Sequence, residues 1–592
     1  MLRVCLCLSS ALLLLATASN AQSNASSSSS SSTDSSELNG WYSCSEFTFA
    51  DEGSSASDAE CAVYSAPLCY TGVCVDAKAR TLDVFVKRIP ATANADKMPN
   101  VWFLQGGPGA GSTAMESAMV DVYAQFNGNV NVYTMDHRGT GRSNPLDCVG
   151  AQATTSGSPM GADIDVTEFA KCVQELQAKY GDMTAFSVTS AATDISAFIS
   201  TYQSGSKTFV YGMSYSSALV ERLMHLDTKG IVGYILDGVS TTSGGDVKDA
   251  MYMSNWDVNF NQVSSHYFDL LTTTTAPKVA KAFGSKSVAS VLQSVLKDLD
   301  KKPNSKCANA NATSTTASAT PASYYVRQLL GKLFTIAVLA KPSEEDVLVS
   351  ALEYYLIVFS EMWESPTPDM ATMLARFTNA KVSSGPIGAL LPLYCAFTKD
   401  ISAVCTVLAS ATSSDSGPAL AYKKDKYWNK VLVAFEYTPH GALFSAQVST
   451  RSSSEYYDMS APKYCAVEII ASYVTGAGDL AKLDKLCVSE TDSSMADFDM
   501  DARYEFTFFG TKGDVFNDDL LSYNYYSTTL KWPLIIVSVV GGILALCMAN
   551  YLIQKREARQ ARTAKETAAY TENVVQGSPT NETNFVPADS RV

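Results

Sequence analysis

The chain has 592 residues, of which 46% are hydrophobic and 17% are charged. This length and apolar content suffice for a large core and for more than one structural unit, so we expect a globular protein with tails. A formal net charge of −15 and an isoelectric point near 4.9 argue against a nucleic-acid partner, because phosphate binding needs clustered lysines and arginines.

The amino terminus has the pattern of a targeting segment followed by a spacer. Arg3 precedes an apolar run from Val4 to Leu15, and small residues up to Ala21 suit signal peptidase, so residues 1–21 are predicted to be a signal peptide. Residues 22–40 are predicted to be a flexible leader, because their serine-rich stretch 24–36 has almost no apolar side chains. Asn24 in Asn-Ala-Ser is a glycosylation acceptor by pattern.

The cysteines indicate an oxidising compartment. Of 14 cysteines, three lie in the predicted signal peptide and the predicted membrane span, which leaves 11 for the folded part. We expect disulfides there, although the sequence does not fix their connectivity. No cysteine spacing resembles a metal site. The expected clusters are Cys44, Cys61, Cys69 and Cys74 near the start, and the local pairs Cys395 with Cys405 and Cys465 with Cys487.

Short apolar strands that alternate with helical segments predict an α/β fold with a parallel sheet covered on both faces. The predicted strands are 80–89, 101–104, 130–135, 208–211 and 231–236, with a helix at 194–202. Residues 41–240 would form the first part of this core. The strands at 101–104 and 130–135 both run into glycine-rich loops.

The stretch from Thr208 to Val220 has the pattern of a nucleophile elbow, in which a strand passes through a tight turn directly into a helix. Ser214 would lie at the tip, and the turn requires small neighbours such as Gly212 and Ser216, although Ser216 stands where glycine is more usual. The turn would expose the Ser214 hydroxyl and direct the backbone N–H of Tyr215 toward a developing oxyanion.

Beyond Ser240 the strand patterns stop, and residues 241–427 are predicted to be an inserted helical cap over the site. This insertion contains a low-complexity patch at 308–322 with a glycosylation pattern at Asn311. Residues 428–490 are predicted to complete the core, with a strand at 431–437 that ends before His440 and a helix at 465–473.

The carboxyl-terminal part predicts a membrane anchor. An acidic linker at 491–532 leads to 533–553, which carry no charge and are long enough to cross a bilayer core of about 30 Å. The lysines and arginines of the tail 554–592 would lie in the cytoplasm by the positive-inside rule. We therefore expect a single-pass type I membrane protein in the secretory pathway, with its folded part extracellular or lumenal.

Four patterns in a fixed order resemble the α/β-hydrolase family of prolyl iminopeptidases and tripeptidyl aminopeptidases. They are Gln105-Gly106-Gly107-Pro108-Gly109, Asp136-His137-Arg138-Gly139-Thr140-Gly141-Arg142-Ser143, the elbow at Ser214 and the loop at His440. The resemblance covers roughly residues 41–488. It implies amide or ester hydrolysis, with removal of short amino-terminal pieces from peptides as the favoured activity. It also implies that Gly107 or Gly106 lends an oxyanion N–H, and that the Asp136 loop is chiefly architectural.

The general base can also be assigned by placement. The chain has 4 histidines, and a base for Ser214 must come from a loop at the carboxyl end of a late strand. His137 belongs to a glycine loop, while His225 and His266 fall on the helix behind the nucleophile and in the cap. His440 alone follows a late strand, which predicts that His440 is the base. A surface loop histidine is the alternative.

The acid of the triad is where the pattern fails. Elbow enzymes place the acid after one strand and the histidine after the next, and this arrangement needs roughly 30 residues. Only residues 429–439 separate Trp428 from His440, so one strand fits and the arm carrying the acid does not. Either this arm has been lost by divergence or a segment was skipped when the sequence was assembled. Asp237, which closes the strand 231–236, is the candidate substitute; a structural aspartate is the alternative.

These patterns predict a membrane-anchored serine hydrolase of the peptidase type that needs no metal or organic cofactor. Its partners would be a peptide or small ester substrate and, through one helix, a membrane. The alternatives are a catalytically inactive cell-surface binding protein and an esterase. Glu361 and Glu364 either receive a substrate's free amine or lie on a solvated helix face, and we favour the solvated face.

Overall fold

The computed structural model of the chain describes residues 37–49, 59–152, 168–240, 252–270, 286–301, 349–383, 385–406, 419–424 and 465–486, with isolated positions at 164, between 323 and 331, and at 427. The strands are β1 (Glu37–Leu38), β2 (Tyr42–Cys44), β3 (Ala59–Pro67), β4 (Thr81–Ile89), β5 (Asn100–Leu104), β6 (Asn131–Met135), β7 (Thr208–Met213) and β8 (Ile231–Asp237). The helices used below are α1 (Glu116–Gln125), α2 (Val149–Gln152), α3 (Phe169–Tyr180), α4 (Val188–Tyr202), α5 (Tyr215–Leu226), α6 (Trp256–Leu270), α7 (Val288–Lys301), α8 (Ala351–Glu361), α9 (Met370–Asn379), α10 (Pro386–Thr398) and α11 (Cys465–Thr475).

The strands form one mixed sheet in the order β1-β3-β4-β6-β5-β7-β8, with β2 paired to β3. Strands β6, β5, β7 and β8 run parallel, and β3 and β4 run antiparallel to their neighbours. The predicted α/β class is confirmed, while the expectation of a purely parallel sheet is wrong at its first strands. The connection between β3 and β4 carries no helix, and a parallel pair would need a crossover.

Alternate residues of the central strands enter two different cores. Val101 and Phe103 of β5 pack with α1 and α11 on one face of the sheet, and Trp102 and Leu104 pack with α4 and α5 on the other. This alternation follows from the two-residue period of a strand. The parallel strands are therefore covered by helices on both faces, and their carboxyl ends meet at one edge.

The residues described between 252 and 406 contain helices α6 to α10. Helix α8 packs in the same core as α4 and α5. Its start is fixed to a glycine loop, because Ser350 N donates to Gly109 O (2.8 Å). Residues of the predicted cap therefore contact the loops at the sheet edge through α8, and the role of 241–427 as a cap stays a prediction.

The folded part begins earlier than the sequence suggested. Glu37 and Leu38, which fall inside the predicted leader, pair with Ser65 and Tyr64 of β3. Leu38 packs against the core, and its N–H donates to Tyr202 Oη (3.1 Å). Leu38 is half-buried, and the edge of β3 supplies backbone partners for the segment.

Four disulfides occur in the described part of the chain: Cys44–Cys61, Cys69–Cys74, Cys148–Cys172 and Cys395–Cys405. The expected cluster near the start and the local pair Cys395–Cys405 are thereby confirmed. Cys487 of the other predicted pair, the predicted signal peptide 1–21 and the predicted membrane span 533–553 lie outside the described residues. Within the described ranges no helix is long and apolar enough to cross a membrane.

Candidate active site

Ser214 occupies the turn between β7 and α5. Its backbone lies at φ 55° and ψ −125°, a region that non-glycine residues rarely adopt and that is often kept at functional sites despite its strain. The N–H of Ser214 donates to Asp237 O (2.8 Å), and its carbonyl accepts from Ser217 N (2.9 Å). These bonds hold a partly exposed hydroxyl at the tip of the turn, which is the geometry of a nucleophile elbow.

Gly212 allows the elbow to be this tight. A Cβ at this position would lie against the carbonyl oxygen of Ser216 and 2.6 Å from Val220 Cγ2. Both atoms belong to α5, so the helix crosses the end of β7 with no space for a side chain. Ser216, by contrast, is buried with a side chain, so only the Gly212 side of the turn requires glycine.

Gly212→Ala is expected to destabilise the fold by about 1–3 kcal/mol, since the added methyl group must displace the first turns of α5. The midpoint of urea unfolding would fall, and the shifted Ser214 would react more slowly with a fluorophosphonate. Gly205→Ala is the matched control, because a Cβ there meets nothing within 4 Å. Equal stability of both variants would contradict a close contact at the elbow.

The two glycine residues predicted to line the oxyanion hole lie beside the elbow. A Cβ on Gly106 would lie 2.7 Å from Ser214 Cβ and 3.3 Å from Ser214 Oγ. Gly107 follows at φ 121°, a conformation open to glycine. Tyr215 is the first residue of α5, and the first N–H groups of a helix have no intrahelical partner. The structure thus places Gly106 against Ser214, with Gly107 and Tyr215 next along the chain from these two residues, and the role of all three as donors remains a prediction.

Asp237 lies next to the elbow at the end of β8. It is the register partner of Met213, and its Oδ2 accepts a hydrogen bond from Tyr211 Oη (2.6 Å). Burial raises the pKa of the Tyr211 phenol, so this hydroxyl stays protonated and donates. The carboxyl group of Asp237 is therefore oriented from within the sheet, at the edge where Ser214 stands.

The four histidines fall in different places. His440, the predicted base, lies outside the described residues. His225 lies in the last turn of α5 and stacks on Tyr427 at 5.0 Å between ring centroids. His266 lies in α6. His137 is buried beneath the elbow, with Nε2 3.0 Å from Gln105 O and 3.0 Å from Ser216 Oγ.

The Asp136 loop has the contacts of a structural element. Arg138 is fully buried, and its Nε donates to Asp194 Oδ2 (2.7 Å). Asp136 Oδ1 accepts from Ser112 N (2.7 Å), and Asp136 Oδ2 accepts from the guanidinium Nε of Arg142 (2.7 Å). These charges are neutralised by internal partners, as buried ions require.

The interpretation that Glu361 and Glu364 lie on a solvated helix face is wrong. Both residues are buried, with 2% and 5% of their surface exposed. Glu364 accepts from Arg376 Nη1 (2.6 Å), and Glu361 accepts from Val188 N (3.0 Å) and from Tyr422 Oη. A helix face that is polar in sequence can be buried here because residues from distant segments pair with its hydrogen-bonding groups.

A third carboxyl group of the cap went unnoticed in the sequence. Glu353 is buried in the first turn of α8, and its Oε2 has no hydrogen-bond partner among the described residues. Burial raises its pKa well above the ordinary value, and the nearby Arg138 opposes that shift. Its neighbour Tyr354 contacts Gly109, where an added Cβ would lie 3.3 Å from Tyr354 Cβ. No local pattern distinguishes Glu353 from a solvent-facing helical glutamate.

Comparison with known proteins gives partial likenesses to solved hydrolases. They are the epoxide hydrolase VrEH1 from Vigna radiata (13% identity over 32% of this chain and 52% of that chain, TM-score 0.19), a thermophilic esterase from Thermogutta terrifontis (10% identity, 34% and 52%, TM-score 0.20) and the peroxisomal α/β-hydrolase Lpx1 from Saccharomyces cerevisiae (15% identity, 34% and 52%, TM-score 0.19). No protein-family model matches the chain, and no curated protein matches it.

This chain spans about half the length of the structures it matches. Likenesses with TM-scores below 0.5 do not indicate an activity, so the chemistry follows only from the geometry around Ser214. None of the three structures is described as a peptidase, and the predicted peptidase specificity stays a prediction.

Proposed function

We propose that the chain is a serine hydrolase that removes short amino-terminal pieces from peptides. The observation that carries the proposal is the backbone of Ser214, held at φ 55° between β7 and α5 with Gly106 of the β5 loop beside it. A strained serine with candidate N–H donors on both sides suits attack on a carbonyl carbon and stabilisation of the resulting oxyanion.

In the proposed reaction Ser214 Oγ attacks the scissile carbonyl while His440 takes the hydroxyl proton. The N–H groups of Tyr215 and of Gly107 or Gly106 stabilise the oxyanion. Collapse of the tetrahedral intermediate breaks the amide bond, and the leaving amine receives the proton from His440. Water then attacks the acyl-enzyme with His440 as base, which releases the acid product and restores Ser214.

Preference for a free amino terminus is supported by the cap carboxyl groups. Glu353 is a buried carboxyl group with an oxygen that lacks a partner, and a substrate ammonium beside it would favour the ionised form. Helix α8, whose start is bonded to Gly109, carries this group against Gly139 of the Asp136 loop, where an added Cβ would lie 2.8 Å from Glu353 Oε2. The same carboxyl group would not assist an uncharged ester, which distinguishes the proposed peptidase from an esterase.

The test compares aminoacyl amides that carry a free amine with their N-acetyl derivatives and with short acyl esters. Because the ammonium partner is lost, acetylation is expected to lower kcat/KM at least about 10-fold, which corresponds to about 1.4 kcal/mol. Hydrolysis of esters alone would assign an esterase. No hydrolysis and no fluorophosphonate labelling of the folded protein would overturn the proposal.

An inactive binding protein is the second candidate, and a specific observation favours it. The segment between Trp428 and His440 has too few residues for the usual acid arm. For either function we propose a secreted, membrane-anchored protein. Four disulfides in the described part of the chain support an oxidising compartment.

A further inference from the structure

Two loops and the first turn of α5 meet at one carbonyl oxygen at the carboxyl edge of the sheet. Gln105 O, in the loop after β5, accepts from Ser216 Oγ in the first turn of α5. His137 Nε2, in the loop after β6, lies 3.0 Å from the same oxygen. It is also 3.0 Å from Ser216 Oγ, so the three groups form a closed triangle beneath the elbow.

The surroundings of His137 determine which way its bonds run. The ring is buried at 3% exposure, and burial lowers its pKa, so the imidazole is neutral. Nδ1 has no hydrogen-bond partner among the described residues, whereas Nε2 faces a carbonyl oxygen that can only accept. We therefore place the proton on Nε2, by inference from the hydrogen-bond network, and His137 donates to Gln105 O.

Two donors on one carbonyl oxygen fix the direction of the peptide that follows it. The carbonyl of Gln105 and the N–H of Gly106 lie on opposite edges of a single rigid plane. Holding the oxygen therefore sets the direction of the Gly106 N–H and the start of the turn at Gly107. Hydrogen bonds in series also polarise one another, so the same contacts strengthen this N–H as a donor.

We propose that His137 and Ser216 are positioning residues that orient the glycine loop so that its N–H groups face the oxyanion formed at Ser214. The inference rests on the proposed hydrolase function and assigns a role to two residues that do not react themselves. It also explains why a serine occupies the position after Tyr215 where glycine is more usual. Glycine there would leave His137 as the sole side-chain donor to Gln105 O among the described residues.

The competing explanation is that these bonds only satisfy buried polar groups. Such a role predicts a loss of stability with no selective effect on the chemical step. A positioning role predicts a lower kcat at nearly constant KM, because an oxyanion donor acts in the transition state and not on the bound substrate. The two kinetic constants therefore separate the explanations.

The experiment measures kcat, KM, fluorophosphonate labelling rate and thermal unfolding for Ser216→Ala and for the double variant with His137→Leu. We expect Ser216→Ala to lower kcat about 10-fold and the double variant to approach the 10²- to 10³-fold loss of one oxyanion donor. KM is expected to stay within about 2-fold, and labelling to slow in parallel with kcat. His137→Gln keeps an N–H donor near the position of Nε2 and should retain kcat within about 3-fold.

Ser190→Ala is the control, because its buried hydroxyl also donates to a carbonyl oxygen, Thr184 O at 2.9 Å, but not to the glycine loop. A kcat for Ser216→Ala that equals that of Ser190→Ala would overturn the inference while the hydrolase survives. A wild-type protein that neither labels nor hydrolyses would overturn the proposed function and this inference with it. If the double variant does not fold, Ser216→Ala and His137→Gln decide the outcome.

Discussion

Ser214→Ala is expected to abolish covalent labelling by a fluorophosphonate and to lower kcat by about 10⁶-fold. The residue stands alone at the tip of a turn whose backbone is held by Asp237 O and Ser217 N. Ser214 immediately precedes the first residue of α5. The oxyanion N–H groups belong to the backbone and survive the substitution, so a residual rate of about 10³–10⁴ over water should remain.

Labelling is measured by mass on the intact protein and by peptide mapping, and hydrolysis on a free-amine aminoacyl amide. Ser206→Ala is the control, since Ser206 precedes the opposite end of the same strand and its hydroxyl donates to Asp96 O (2.9 Å). It should label and turn over as the wild type does. Persistent labelling of Ser214→Ala at another residue would place the nucleophile elsewhere and leave the elbow as a structural turn.

Local patterns in the sequence were sufficient to predict the central strands and the elbow. The predicted strand 208–211 and helix behind Ser214 correspond to β7 and α5, because a buried apolar run and a small-residue turn depend only on neighbours in the chain. The direction of β3 and β4 did not follow from such patterns. Strand β3 was not predicted, and the direction of β4 follows from its antiparallel pairing with β3 and β6, which are distant partners or unpredicted ones.

The remaining features of the site depend on contacts between distant segments. In the sequence Ser216 is only a departure from the usual glycine, whereas in the structure it lies beside Gln105 and His137. Glu361 looked solvent-facing because its partner Tyr422 lies 61 positions further along the chain. The periodicity of hydrophobic residues gives no information about such distant partners. Buried polar clusters are therefore the part of an active site that composition and spacing predict least.

The short interval before His440 leaves Asp237 as the candidate acid, and the structure places it beside the elbow at the end of β8. Its backbone oxygen accepts a hydrogen bond from Ser214 N (2.8 Å). The strand that carries the candidate acid therefore also positions the backbone of the nucleophile. A carboxylate has about four acceptor sites, and the bond from Tyr211 occupies one of them on Oδ2. The bond orients the carboxyl group at the edge of the sheet where Ser214 stands.

Asp237→Asn is expected to lower kcat by about 10⁴-fold while leaving fluorophosphonate labelling detectable but slow, because an amide cannot stabilise the imidazolium of His440 or hold its tautomer. The fold should tolerate the change, since the asparagine carbonyl still accepts from Tyr211 Oη. Tyr211→Phe is the control: it removes that bond and keeps the carboxylate, so we expect kcat to fall only about 10-fold, which corresponds to about 1.4 kcal/mol of lost orientation. Both rates are read on the same aminoacyl amide, with urea unfolding to show equal stability. A fully active Asp237→Asn would remove Asp237 from the mechanism and move the acid to the residues around His440.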